Sequence, residues 1–259
     1  MTAGGRRNYR RGGRYHLLDG IRGLTLISMI LYHGCWDLVY LLGVNIPWYH
    51  TEKAHLWQQS ICWTFILLSG FCMTLSVRKW RRGAVVFAAG LLVTAATLVF
   101  LPEDRVVFGV LTFLGSAMLL TALLLRGLER IHPVIGMALS GVLFYVFRTV
   151  NAGWLQLWGT ETITLPASWY HGLAATYVGF QAPDFYSTDY FSLLPWIFLF
   201  WAGLYLGLFV EQLGGWKRTV LGINIPPLSF LGRNSLLIYL LHQPLLYMAV
   251  VLAGRYLGG

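Results

Sequence analysis

Asp19, Arg22, His33 and Asp37 stand within one apolar run near the start of the chain. Ionisable side chains in such a run are costly to bury and mark functional sites by default. Arg22 and His33 are eleven positions apart, which on a helix leaves them about 20° apart around the axis and about 16 Å apart along it. His33 and Asp37 are spaced i, i+4, so they are neighbours on that same side. With the helix beginning near Asp19, His33 falls about 21 Å along, past the midplane of a roughly 30 Å hydrocarbon core. A guanidinium in a first helical turn, beside free backbone N–H groups, suits a phosphate or carboxylate. An imidazole at that depth exchanges a proton near neutral pH, and a carboxylate one turn on can fix its tautomer and stabilise the imidazolium. The plainer reading has Asp19 capping the helix and pairing with Arg22, and His33 and Asp37 forming a structural hydrogen bond between helices.

The elements that must position these groups are spanning helices. The 259 residues are 57% apolar and 11% charged, with mean hydropathy +0.62, whereas a soluble domain carries about a quarter charged residues. Seven apolar blocks reach the length a bilayer requires, at roughly 19–42, 57–77, 84–101, 106–125, 133–150, 192–210 and 234–254. The fold expected is all-α, a polytopic transmembrane bundle. It comprises a basic tail over 1–16 and one membrane domain over 17–259. The run from Leu17 to about Leu42 is too long for a signal-peptide core and lacks a small-x-small cleavage site, so it reads as a retained helix.

The net charge of +9 sits mostly between apolar blocks, which argues for membrane orientation and against nucleic-acid binding. Arg6, Arg7, Arg10, Arg11 and Arg14, then Arg78, Lys79, Arg81 and Arg82, then Arg126 and Arg130, then Lys217, Arg218 and Arg233 fall on one side. The other side holds only Lys53, Arg105, Arg148 and Arg255. The richer side is cytoplasmic by the positive-inside rule, which puts the N-terminus inside and the C-terminus outside. Cys35, Cys62 and Cys72 lie in apolar stretches as packed thiols, and no spacing calls for a metal. The longest outer connection, 151–191, carries Trp154, Trp158, Trp169, Tyr170, Tyr177, Phe180, Phe185, Tyr186 and Tyr190. These rings suit either sugar stacking or an interfacial belt, and residues 167–181 suit a short interfacial or re-entrant helix better than an eighth crossing. No internal repeat supports an inverted-repeat transporter.

The run Leu18-Asp19-Gly20-Ile21-Arg22-Gly23-Leu24, followed by His33, resembles the Arg-x10-His signature of transmembrane acyltransferases. Its continuation through Trp36-Asp37-Leu38 is most similar to small bacterial relatives of heparan-α-glucosaminide N-acetyltransferase. Phe65-Ile66-Leu67-Leu68-Ser69-Gly70-Phe71 agrees, as does Asp189-Tyr190-Phe191 through Leu194-Pro195-Trp196. Leu231-Gly232-Arg233-Asn234-Ser235 through His242-Gln243-Pro244 agrees as well. The resemblance covers nearly the whole chain. It implies transfer of an acetyl group from cytosolic acetyl-CoA, or another acyl-CoA, across the bilayer to a glycan or glycolipid, with the histidine catalytic and the arginine on the donor side. These roles carry over to His33 and Arg22, and N- and O-transfer both stay open.

On that reading the donor phosphates meet Arg22, Arg233 and Arg78 or Arg82. Snorkelling of Arg233 and a topological role for the basic cluster are the plainer accounts. His242 is a second acid or an acceptor-site donor, or else a polar helix contact beside Pro244. Trp36 and Asp189 are acceptor-side candidates. The same Arg22–His33–Asp37 stripe would also serve a proton-coupled carrier, and a non-enzymatic partner of envelope assembly is a third reading.

Overall fold

The structure, a computed structural model, describes residues 15–213 and 221–257. The basic residues Arg6, Arg7, Arg10, Arg11, Arg14, Lys217 and Arg218 lie outside them. Long helices occupy the apolar blocks: α1 His16–Leu42, α2 Glu52–Leu75, α3 Lys79–Phe100, α4 Val110–Leu128 and α5 Pro133–Phe147. After α5 come a small antiparallel hairpin, β1 Trp154–Gln156 with β2 Thr162–Thr164, and the short α6, Gly172–Val178. The chain then forms α7 Trp196–Gln212, α8 Pro226–Arg233 and α9 Ser235–Leu257. Six helical segments among the described residues are long and apolar enough to cross a membrane, and α7 is a shorter apolar helix of 17 residues. This is an all-α, multi-pass membrane bundle.

Two differences from the sequence reading have local causes. The fourth helix starts at Val110, four residues later than the apolar block, because residues 105–108 bond to the long connection instead. The Arg105 and Phe108 carbonyls accept from the Thr188 and Phe191 amides at 3.1 and 2.9 Å. Phe108 adopts φ 57, a conformation that turns the chain out of the helix. Within 167–181 the only α-helix has seven residues, about 10 Å, too short to cross the bilayer. The separate short α8 ahead of the last helix gave no distinct apolar block of its own.

Apolar side chains gain little by leaving lipid for one another, so small residues and close packing hold such helices together. Here glycines do this in reciprocal pairs. A Cβ on Gly70 of α2 would collide with the Phe200 carbonyl of α7, and one on Gly203 of α7 with the Leu67 carbonyl of α2. Gly90 and Gly115 seat α3 against α4 in the same manner, and Gly23 and Gly232 seat α1 against α8. The main core lies between α2, α4 and α7, around Ile66, Met73, Phe113, Ala117, Phe200 and Leu204. One interhelical hydrogen bond within it runs from Trp201 Nε1 to Thr121 Oγ1 at 3.0 Å. Leu91, Leu98, Val99, Leu123, Leu245 and Met248 point outward, as lipid-facing residues do.

Candidate active site

Because successive helices alternate in direction, the N-terminal ends of α1, α3 and α9 and the C-terminal end of α2 share one face of the bundle. A cavity of ≈ 2650 Å³ begins there and extends along α1 to the opposite face. Its first end is lined by Asp19, Arg22, Cys72, Arg81, Arg82 and Arg233. Its middle is lined by His33, Cys62, Tyr239, His242 and Gln243, and its far end by Trp36, Tyr40, Tyr49, His50, His55 and Asp104. The facing wall, from α3 and α4, is apolar, with Val93, Ala96, Leu111 and Leu114.

The basic end is built by packing. Arg22 Nη1 lies 3.3 Å from Asp19 Oδ1, one turn away on α1. Its Nη2 donates to Cys72 Sγ on α2 at 3.1 Å. Arg82 of α3 sits against the same thiol, near enough to Arg22 and Asp19 for their charges to interact. Gly232 lets α8 touch the backbone of Asp19, which brings the next residue, Arg233, to this end of the cavity. Arg78 is different: it is exposed at the N-cap of α3 and does not line the cavity. Fixed guanidiniums of this kind match phosphate oxygens with paired donors.

In the middle, His33 Nδ1 lies 2.9 Å from the Met29 carbonyl. A carbonyl only accepts, so Nδ1 carries the hydrogen and the lone pair of the neutral ring is on Nε2. The hydrogen bond expected between His33 and Asp37 is therefore absent from its expected place. Asp37, fully buried, accepts instead from Gln243 Nε2 of α9 at 2.9 Å. The reason is angular: residue 29 is also one turn from His33, and the backbone carbonyl there is already aimed along the helix at the ring. His242 approaches from α9, with its ring centroid 5.0 Å from that of His33.

At the far end, rings from α1, the first loop and the start of α2 form a continuous group. Trp36 packs on Tyr40 at 5.0 Å, Tyr32 on Tyr49 at 5.2 Å and on Trp57 at 5.3 Å, and Tyr40 on His50 at 6.3 Å. The 151–191 rings largely satisfy one another: Tyr170 donates to the Val150 carbonyl, Tyr190 to the Thr176 carbonyl, and Phe180 packs edge-on against Trp169 and Tyr170. Of the rings singled out there, Tyr186 lines the cavity. Asp189 also reaches the cavity, but its Oδ2 accepts from the Val110 amide at 3.0 Å and closes the N-terminus of α4. Burial pushes the Asp189 carboxyl above the usual range, and the Val110 hydrogen bond pulls part of the way back.

Sequence reasoning did not single out Cys72, Tyr32, Tyr239 or Gln243 as site residues. Gln243 adjoins His242, and that adjacency was the one available signal; the others read as ordinary apolar-helix residues. Among the described residues no group of three or more His, Cys, Asp or Glu could hold a metal ion. The arrangement offers an anion clamp, an apolar channel, a half-buried base and an aromatic mouth in that order along α1.

The family model for heparan-alpha-glucosaminide N-acetyltransferase, catalytic, matches residues 14–244. No curated protein and no solved structure matches the chain. Since the family match runs through the anion clamp, both cavity histidines and Pro244 of the last helix, this chain belongs to the heparan-alpha-glucosaminide N-acetyltransferase catalytic family, a family of membrane acetyltransferases.

Proposed function

We propose that the protein carries an acetyl or other acyl group from cytosolic acyl-CoA to an extracytoplasmic acceptor, an amino sugar or sugar hydroxyl of a glycan or glycolipid. The observation that carries this is the cavity running from the arginine cluster, past His33, to the aromatic mouth. Arg22, Arg82 and Arg233 hold the phosphates of the donor, and its thioester arm lies along the apolar α3–α4 wall. Trp36 and Tyr40 offer faces on which a sugar ring stacks. Asp189, which lines the same cavity, is an acceptor-side group. The basic end is the cytoplasmic one by the positive-inside rule, in the inner membrane of a bacterium.

His33 Nε2 takes the proton from the acceptor amine or hydroxyl as its nitrogen or oxygen attacks the thioester carbonyl. The new C–N or C–O bond forms, the C–S bond breaks, and the thiolate of CoA leaves toward the cytoplasmic side. Asp37 acts through position: it ties α1 to α9 at Gln243 and so sets the depth of His33.

Purified protein in proteoliposomes, given labelled acetyl-CoA outside and amino-sugar or glycan acceptors inside, tests the reading. Wild type should label the acceptor and His33→Ala should not; equal labelling by the two removes His33 from the chemistry. A cavity reaching both faces also suits a proton-coupled carrier, which predicts pH-driven flux of solute that is indifferent to CoA.

A further inference from the structure

His33 and His242 present the same nitrogen. His242 Nδ1 lies 2.5 Å from the Tyr239 carbonyl, and His33 Nδ1 lies 2.9 Å from that of Met29. Each Nδ1 therefore carries a hydrogen, and each Nε2 is left for chemistry. His242 is buried, its Nε2 has no hydrogen-bond partner among the described residues, and the residue lines the cavity. A buried orphan polar atom of this kind needs an explanation. Asp37, the carboxylate nearest in sequence to either ring, is engaged by Gln243. The titratable groups around the pair are Tyr32 beside His33, Tyr239 beside His242, and Cys62 and Asp189, near enough to Tyr239 to interact with it. From α3 and α4 the wall is apolar.

Two imidazoles with centroids 5.0 Å apart in such surroundings hold one proton between them far more readily than two. We propose that His242 relays the proton to the leaving group: its free Nε2 takes the proton that His33 has removed from the nucleophile and, as the general acid, delivers it to the sulfur of the departing thiolate. This rests on the acyl-transfer reading above. In the transfer His33 Nε2 gains the proton of the nucleophile and passes it to His242 Nε2, which gives it to sulfur. The carbonyl carbon exchanges its bond to sulfur for one to nitrogen or oxygen, so protons and electron pairs balance without a further reactant. Loss of that proton to sulfur leaves both rings neutral, as they began.

A thioester whose leaving thiolate is stable without a proton, such as an acetyl nitrothiophenyl thioester, separates this role from a structural one. His242→Gln should lower kcat with acetyl-CoA by about 100-fold, within the usual worth of a general acid. With the nitrothiophenyl donor the same variant should stay within about 5-fold of wild type, whereas His33→Gln should be impaired with both. Equal losses of His242→Gln with the two donors overturn the proposal. A measurement on wild type alone does not depend on the variant folding. Its rate with acetyl-CoA should slow in D2O, because proton delivery to sulfur is part of that rate, and the slowing should be smaller with the nitrothiophenyl donor. Equal slowing with both donors overturns the assignment as well. Absence of any acetyl transfer by wild type is a different result, and it strikes the acyl-transfer reading itself.

Discussion

The Asp37 carboxylate accepts a hydrogen bond from Gln243 Nε2 at 2.9 Å, joining two residues 206 positions apart. Both groups are polar and remote from bulk water, so the pair fixes how α9 lies against α1. It also fixes the approach of His242 to His33, because His242 is the neighbour of Gln243. Asp37→Asn keeps an oxygen for the Gln243 amide and should retain most activity. Asp37→Ala leaves that amide unpaired and should lower stability by about 1–3 kcal/mol. Thermal unfolding in detergent, read beside kcat, checks this. A stable Asp37→Asn with kcat abolished would give the carboxylate a direct part in the chemistry.

Arg22 spends its fork on Asp19 and Cys72, and a lysine cannot reproduce two directed donors. Arg22→Lys should raise KM for acyl-CoA about 10- to 100-fold, the range for losing a charge-assisted hydrogen bond, with kcat nearly unchanged. Arg78→Ala, at an exposed position outside the cavity, should leave KM where it is. A donor titration on the two variants side by side reads the difference.

The glycine pairs predict which positions tolerate a methyl group. Gly203→Ala drives a Cβ into the Leu67 carbonyl and should cost several kcal/mol, as overpacking of a tight contact does. Gly141→Ala on α5 meets nothing within 4 Å and should be neutral or stabilising by up to about 1 kcal/mol. Yield of monodisperse protein and thermal unfolding together decide it; equal behaviour of the two would refute the close contact between α2 and α7.

Asp189 gives a pH dependence whose sign follows from burial. Its carboxyl is held above the ordinary range, so the fold favours the protonated form. Its contribution is full below the unfolded aspartate pKa of about 3.9 and declines as pH rises through the raised value. Asp189→Asn keeps an acceptor for the Val110 amide and removes the charge. Unfolding temperatures measured from about pH 4 upward should therefore fall more for wild type than for Asp189→Asn. Parallel curves would contradict the buried charge.

Much of the architecture was legible in the chain because the bilayer leaves few choices. A spanning helix needs about 20 apolar residues and satisfies its own backbone, so each apolar block announced its helix. The helical period alone put Arg22 and His33 on one side of α1. What it could not give is any partner from another helix. The anion clamp depends on Cys72 and Arg82 meeting Arg22, the His33–His242 pair on the approach of α9, and Asp37 on Gln243. The start of α4 likewise depends on Asp189 and its neighbours, some 80 positions away. Periodicity describes one helix at a time. Which faces meet, and at what depth, is set by the interlocking of Gly23 with Leu228, Gly70 with Phe200 and Gly115 with Phe87, contacts that exist only once the helices are assembled.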